Sequence, residues 1–309
     1  MPEPLLTLFT APKPFKDPHI ITIQRNALRS WQALGKEVEI LVLGNDEGIA
    51  EHTRKLSIRH IPKVTCNSRG TPLISSMLSL ARESSASPFL GIINADIILF
   101  PDVLEAIKSA AERYKKFLLV GQRWDLEVTN EITGGLDQFL ALKRIIPFKG
   151  DLHQPMGSDY FIFPRECYLD IPDFAIGRAG WDNWFIFKSR WEGWPVIDCT
   201  HDVTIVHQNH DYRHLPGGQP HYRLPETKEN VKQGGGEHTI FTLFDSQYEL
   251  VNGKLIKRKA MIKKLLREFE IFPLTHLRSQ SLGRFFYLIA RPRKAYAELR
   301  NIFKESVNR

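Results

Sequence analysis

Residues 88–107, PFLGIINADIILFPDVLEAI, contain the strand and the turn that decide the fold. The run Pro88–Ile93 is continuously apolar, which is typical of a central strand buried on both faces. The triplet Asn94-Ala95-Asp96 ends this run, and Pro101-Asp102 then opens a helix whose apolar positions share one side. A carboxylate at the end of a buried strand lies where a hard cation and a diphosphate could meet. The stretch therefore marks a candidate site as well as a fold.

The residues before this stretch alternate strand and helix patterns. Short apolar runs at Pro4–Phe9 and Val38–Leu43 flank a segment with helical spacing, Ile20–Leu34, and another helical pattern spans Pro72–Glu83. Strand-helix-strand units imply parallel strands with helices on the faces of the sheet. We therefore predict an α/β, Rossmann-like fold with a mostly parallel sheet flanked by helices.

Composition predicts three sections of chain. Residues 1–122 carry the regular pattern and form the predicted ligand-binding half of one domain, whereas residues 123–250 are less regular and form its predicted substrate-side half. Within the second half, residues 216–236 lack an apolar period and are predicted to be a mobile loop. Residues 251–309 are predicted to be a basic helical tail.

The net charge of +7 is unevenly distributed along the chain. Residues 254–309 carry 15 Lys and Arg against four Asp and Glu, a balance of +11 that leaves −4 for the preceding 253 residues. A nucleic-acid enzyme would be expected to carry its positive charge near its site, so nucleic acid is not an expected partner. The tail instead favours an anionic surface.

Other sequence features favour a reducing compartment. The three cysteines are far apart and form no CxxC pair, which indicates neither a disulfide framework nor a structural zinc site. The first residues lack a basic leader, and no apolar run approaches the roughly 20 residues of a spanning helix. We expect a cytoplasmic protein, peripheral on the inner face of the membrane.

Polar residues after strand ends are the first candidates for ligand binding, because open α/β sheets bind ligands at the carboxyl ends of their strands. Thr10 follows the first apolar run, and Asn45 and Asp46 follow the second. Short polar groups there could contact a base or a ribose. For Asn45 and Asp46 an ordinary turn is an equally good interpretation.

The order of these motifs resembles that of the GT-A glycosyltransferases. Their signature is an Asp-x-Asp motif after an apolar strand and before a helix, and INADIILFPDVLEAI reproduces that context with Asn94 in place of the first acid. The resemblance implies a nucleotide-sugar donor, UDP- or GDP-linked, a glycan or lipid-linked acceptor, and Mn²⁺ or Mg²⁺ as cofactor. It makes Asp96 the main metal candidate, with Asn94 beside the donor, and places Arg69 near the diphosphate.

The segment Gly180-Trp181-Asp182-Asn183-Trp184 is similar to the acceptor side of the same superfamily. The resemblance implies that Asp182 deprotonates the acceptor hydroxyl if the enzyme inverts. It also places four residues at the acceptor: Asp159, Trp181, Asn183 and Trp184. The alternative is that the tryptophans pack in the core and that Asp182 only caps a helix beginning at Asn183.

Four histidines within residues 201–214 accompany two acids. GT-A enzymes commonly supply a late histidine as a metal ligand, and His207, at the end of a predicted strand, matches that position best, with His210 as its competitor. Imidazole is a good ligand for Mn²⁺ and a poor one for Mg²⁺. The alternative is a structural role.

The tail combines apolar and cationic positions. Residues 254–269 are predicted to form one helix with an apolar face and a lysine-rich face, and a second stretch, residues 284–296, interleaves aromatics with cations. Basic amphipathic helices of this kind bind anionic membranes. A helix packed on the catalytic domain with a solvated basic face is the alternative.

Two other functional classes stay open at this stage. Asn94 in place of an acid suits a catalytically lapsed nucleotide-sugar-binding or membrane-tethered interaction protein. A metal-dependent hydrolase is disfavoured because no HExxH or comparable paired-ligand signature occurs.

Overall fold

The computed structural model describes residues 3–210, 224–259, 261–294 and 296. The strands are β1 (Leu6–Thr10), β2 (Val38–Leu43), β3 (Arg59–Ile61), β4 (Phe89–Ile93), β5 (Ile97–Leu99), β6 (Leu118–Val120), β7 (Trp124–Leu126), β8 (Asp151–Leu152), β9 (Tyr160–Pro164), β10 (Val196–Asp198), β11 (Ile205–Gln208), β12 (Tyr248–Val251) and β13 (Lys254–Lys257). The helices are α1 (Pro18–Gln32), α2 (Ile49–Lys55), α3 (Ile74–Ser84), α4 (Asp102–Ala111), α5 (Gly135–Lys149), α6 (Trp181–Glu192), α7 (Pro225–Gln233), α8 (Ile262–Thr275) and α9 (Gln280–Ala290).

A nine-stranded sheet forms the centre of the described chain, in the order β13-β12-β10-β6-β9-β4-β1-β2-β3. Its strands run parallel except for β9, which is antiparallel to β4 and β6, and β13, which is antiparallel to β12. Strands β1 and β4 are almost wholly buried, as their continuous apolar runs predict. The predicted mostly parallel α/β fold is confirmed.

The strand order reverses between β1 and β4. From β1 the chain proceeds through α1 to β2 and β3 on one side, and then returns through α3 to β4 on the other side of β1. In open α/β sheets, ligands bind in the crevice outside the carboxyl ends of the strands at such a reversal. Thr10 and Asn94-Ala95-Asp96 lie at these two strand ends.

A second, four-stranded sheet in the order β5-β11-β7-β8 brings distant segments to the same edge. Strand β11 pairs antiparallel with β5, so that His207 lies opposite Ile97. Helix α1 packs on β5, and the indole Nε1 of Trp31 donates to the carbonyl of Ile97 at 2.9 Å. This sheet therefore places the late histidines beside the turn that follows β4.

The predicted mobile loop at residues 216–236 is wrong for its second part, because residues 225–233 form helix α7. Residues 216–223 lie outside the described residues. Helix α7 has no apolar period because its buried contacts are polar. Glu226 accepts hydrogen bonds from Asn67 (2.6 Å) and Thr71 (2.7 Å), and the buried Asn230 bonds the backbone of Ala175.

The tail departs from the prediction in two ways. Residues 254–257 are strand β13 at the edge of the sheet instead of helix, and the helical part is a hairpin of α8 and α9 that packs on α6. Residues 295 and 297–309 lie outside the described residues. The proposed division at residues 122 and 250 stays a prediction, and strands from all three sections join the central sheet.

The hairpin docks through its charged face. The buried Arg190 of α6 makes two hydrogen bonds to Glu268, at 2.7 and 3.1 Å, and Arg267 bonds Asp245 at 2.8 Å. Lys264, only 7% exposed, donates to the carbonyl of Phe244. The sequence predicted that the cationic face of this segment meets an anionic membrane, but Lys264 and Arg267 instead contact the protein body.

Candidate functional site

Two buried oxygens at the strand reversal have no hydrogen-bond partner within the described ranges. They are Oγ1 of Thr10 at the end of β1 and Oδ1 of Asp96 after β4. A buried carboxylate oxygen without a hydrogen-bond partner lowers the stability of the folded state unless a ligand supplies the partner. The roles of Thr10 and Asp96 at a ligand site stay predictions.

Asp96, His207 and His210 form a cluster with the properties of a metal site. One ligand atom from each lies within 4.8 Å of the others, and Nε2 of His210 is 3.1 Å from Oδ2 of Asp96. Adjacent ligands of an octahedral cation with bonds of about 2.1 Å lie about 3 Å apart. The sequence left His207 and His210 as competitors, but the structure brings both to Asp96. The neighbouring residues 211–214 lie outside the described residues.

Other polar groups orient this cluster. Nδ1 of His207 lies 3.1 Å from Oδ1 of Asp125, an electrostatic contact that lacks hydrogen-bond geometry. The fully buried Gln208 donates to the carbonyls of Ile23 (2.8 Å) and Asp96 (3.0 Å). Carboxylates behind metal-binding histidines fix their orientation. Sequence reasoning missed Asp125 and Gln208, since single polar residues in strands carry no recognisable pattern.

A lysine also contacts Asp96, namely Lys13 in the loop between β1 and α1. Its ammonium lies 3.2 Å from Oδ2 of Asp96 and 2.9 Å from Nε2 of His210. Burial raises the pKa of Asp96, but nearby positive charge, above all that of Lys13, holds that pKa well below its usual range. Asp96 is therefore ionised and can bind a cation.

The side chain of Asn94 has a hydrogen-bond partner within the protein. Its amide donates to Oδ1 of Asp159 at 2.7 Å, and the guanidinium of Arg123 bonds Oδ2 of the same carboxylate at 2.7 Å. Asp159 is 6% exposed and uses both oxygens inside the protein. The structure thus gives Asp159 a bracing contact with Asn94. Its predicted contact with the acceptor stays a prediction, and Arg123 was not predicted.

Asp182 lies in the first turn of α6, one residue after the helix begins, and its Oδ1 accepts from the backbone N–H of Gly180 at 3.0 Å. Burial raises its pKa to about 6, and the charge of Asp159 acts in the same direction. Gly180 has a φ of 106°, and a Cβ there would lie 3.1 Å from Val231 of α7. The glycine thus permits both the turn and the close packing of α7.

The two tryptophans of this segment are core residues. Trp181 is 4% and Trp184 6% exposed, and both rings pack on Phe185. This burial disfavours the expected contact of Trp181 and Trp184 with the acceptor and agrees with the alternative that both pack in the core. Asn183 donates to the carbonyl of Phe241 at 2.8 Å, so its side chain also has an internal partner.

The remaining donor-side candidates lie in loops at the same edge of the sheet. Asn45 and Asp46 are exposed after β2, and their role stays a prediction. Arg69 pairs with Glu229 of α7, at 3.0 and 3.1 Å. This contact gives its guanidinium a partner in α7 that the sequence could not indicate, and its place near the diphosphate stays a prediction.

The sequence matches no protein-family model and no curated protein. Among solved structures, it is similar to a mannosyltransferase from Pyrobaculum calidifontis in complex with GDP-Man and Mn²⁺, at 16% identity over 66% of this chain and 56% of that chain, with a TM-score of 0.42. It is also similar to S. aureus TarS 1–349 in complex with UDP-GlcNAc, at 11% identity over 74% and 65% of the two chains, with a TM-score of 0.46.

A third similar structure is glucosyl-3-phosphoglycerate synthase from Mycobacterium tuberculosis in complex with Mn²⁺, UDP and glucosyl-3-phosphoglycerate. It is 15% identical over 77% of this chain and 78% of that chain, with a TM-score of 0.42. The chain covers between 56% and 65% of the first two structures. All three TM-scores lie below 0.5, and fold alone does not decide activity.

Proposed function

We propose that the protein is a glycosyltransferase that moves a sugar from a nucleotide-diphosphate donor to a hydroxyl acceptor. The observation that carries the proposal is the cluster of Asp96, His207 and His210 at the strand reversal, where Oδ1 of Asp96 is buried and lacks a hydrogen-bond partner in the described chain. Ligands of an open α/β sheet bind at this place, and a donor diphosphate needs positive charge there.

The donor set fits Mn²⁺ better than Mg²⁺, because two of the three ligands are imidazoles. A divalent cation held there would neutralise the charge that develops on the leaving diphosphate. In this proposal Asp96, His207 and His210 hold the cation, and Asn94 is braced beside them by Asp159. Thr10, Asn45 and Asp46 are the candidates for contacts to the nucleotide.

Asp182 is the candidate general base if the reaction inverts. An alcohol attacks an anomeric carbon efficiently only as its proton leaves, and a base works best with a pKa near the working pH. Its pKa of about 6 meets that condition better than that of an exposed aspartate would. The charge of Asp159, which also holds Asn94, contributes to this raised pKa of Asp182.

Titration with UDP and GDP, each with and without Mn²⁺, followed by assays of donor turnover tests the proposal. Metal-dependent binding of one nucleotide and turnover of its sugar conjugate support a glycosyltransferase. Binding without turnover of any donor would favour the catalytically lapsed alternative. Absence of nucleotide binding under both conditions would contradict both proposals.

We also propose that the α8–α9 hairpin rests on an anionic membrane, where a lipid-linked acceptor would be available. With its charged face turned inward, the hairpin exposes a large apolar surface. This surface, here called the outer face, consists of Ile262 (78% exposed), Leu265 (55%), Leu266 (65%), Phe269 (69%), Leu282 (44%), Phe285 (57%) and Ile289 (64%). Several large apolar side chains this exposed on two packed helices favour an interaction site.

The surroundings of the outer face favour an anionic bilayer over a protein partner. Exposed cations border it at Lys259, Lys263 and Arg278. Apolar side chains flanked by cations suit an anionic interface, where each cation near the surface contributes about 1 kcal/mol. Among the described residues, none of the helices combines the length and apolar character that crossing a bilayer requires.

A further inference from the structure

Hydrogen bonds from Gln24 fix the backbone of Lys13 beside the candidate metal site. The side chain of Gln24, 1% exposed in α1, accepts from the N–H of Lys13 at 2.7 Å and donates to its carbonyl at 3.0 Å. Both backbone groups are therefore fixed independently of what the side chain binds. The lysine stem starts from a rigid point in the loop between β1 and α1.

The ammonium group of Lys13 lies where a cation would contact both Asp96 and His210. The ammonium has only hydrogens to donate, so its 2.9 Å contact with His210 requires a lone pair on Nε2. The same ammonium lies 3.2 Å from Oδ2 of Asp96. A single nitrogen cannot accept from Lys13 and donate to Asp96 at once. Two acceptor atoms 3.1 Å apart, His210 Nε2 and Asp96 Oδ2, thus face one shared positive charge.

We propose that Lys13 is the counter-ion of this site in the absence of metal, and that it moves to the donor diphosphate when a divalent cation takes Asp96 and His210. The inference rests on the proposed function, because it assigns Lys13 to the same site. The lysine side chain is 27% exposed and has four flexible carbons. It can therefore leave the carboxylate without moving the backbone that Gln24 holds.

Two consequences follow for binding. A metal that arrives alone must displace a charge-assisted contact, which costs affinity. When a nucleotide diphosphate binds together with the metal, the displaced ammonium of Lys13 can contact the diphosphate. This new contact offsets the lost contact with Asp96. The protein should consequently bind Mn²⁺ weakly by itself and much more tightly together with a nucleotide diphosphate.

Mn²⁺ binding, followed by the electron paramagnetic resonance signal of the free ion, tests the inference without an activity assay. In Lys13→Met we expect Mn²⁺ alone to bind about tenfold more tightly, the scale of one charge-assisted hydrogen bond. We expect the nucleotide that wild-type protein prefers, UDP or GDP, to bind about tenfold more weakly at saturating Mn²⁺. The matched control is Lys16→Met in the same loop, where the lysine is 62% exposed and pairs with Glu47.

The outcomes separate this inference from the proposed function. If wild-type protein binds neither Mn²⁺ nor nucleotide, the proposed function fails. If it binds both, and either affinity is unchanged in Lys13→Met or changes equally in Lys16→Met, only the inference fails. Lys13→Gln serves in the same way if Lys13→Met does not fold, as judged by circular dichroism.

Discussion

The outer face of the α8–α9 hairpin makes a quantitative prediction for Phe269→Ala. Fully burying a phenylalanine side chain contributes about 1.5 to 3 kcal/mol. Phe269 is 69% exposed, so its insertion into a bilayer should contribute about 1 to 2 kcal/mol. Truncation should therefore weaken binding to vesicles about 5- to 30-fold, because 1.4 kcal/mol corresponds to a factor of ten.

The assay is co-sedimentation with vesicles of neutral or partly anionic lipid at increasing salt. Raising salt from 0.1 to 1 M shortens the Debye length from about 10 to about 3 Å and should remove the preference for anionic lipid. The effect of Phe269→Ala should persist at high salt, since it removes apolar contact. Phe148→Ala is the matched control, because that phenylalanine is 86% exposed at the end of α5.

Two results would refute this reasoning. One is equal vesicle binding by wild-type protein and Phe269→Ala, and the other is an equal loss in Phe148→Ala. If the intact protein ignores vesicles but forms a dimer that Phe269→Ala dissociates, a second copy of the chain covers the outer face instead.

Three further predictions concern the site and the docking of the hairpin. Asp96→Ala should abolish the Mn²⁺ dependence of nucleotide binding in calorimetry, with a native circular dichroism spectrum. Asp182→Asn should lower turnover about 10²-fold or more at unchanged donor affinity; in wild-type protein, turnover should fall as pH drops below about 6, because the base is then protonated. Arg190→Ala removes one of the two cationic partners of Glu268, leaving Lys264, and should lower the free energy of unfolding by about 1.5 to 3 kcal/mol in denaturant titrations.

Each of these has a result that would contradict it. Metal-dependent binding that survives in Asp96→Ala would exclude this carboxylate as a ligand. Wild-type turnover in Asp182→Asn would assign that residue a purely structural role at the start of α6. A loss of less than 1 kcal/mol in Arg190→Ala would mean that the contact with Glu268 is dispensable for docking the hairpin.

The sequence predicted those parts of the molecule that depend on continuous apolar runs. Strands β1, β2 and β4 follow directly from such runs, and the turn after β4 identified Asp96. The histidines were found because they cluster in the chain. These are local signals, and a single sequence shows them without knowledge of what packs against them.

The features that the sequence could not reveal depend on partners far along the chain. Helix α7 is held by polar contacts of Glu226 and Asn230, so it lacks the apolar period by which helices are recognised. The amphipathic pattern of α8 identified two faces but not which of them turns inward. That choice depends on Arg190 and Asp245, which supply buried partners for its charges. The burial of Trp181 and Trp184 likewise depends on neighbours from several elements.

The pairing of β5 with β11 has a consequence for synthesis on the ribosome. In the four-stranded sheet, β5 lies at the edge and its neighbour is β11, which begins at Ile205, 106 residues after β5 ends at Leu99. At about 5 to 20 residues per second, the three apolar residues of β5 wait about 5 to 20 seconds for their partner strand. During that interval the nascent chain carries Asp96 without either histidine, so it cannot yet assemble the three-residue cluster. In the proposed function, the cluster can therefore hold a metal only after His207 and His210 have been synthesised.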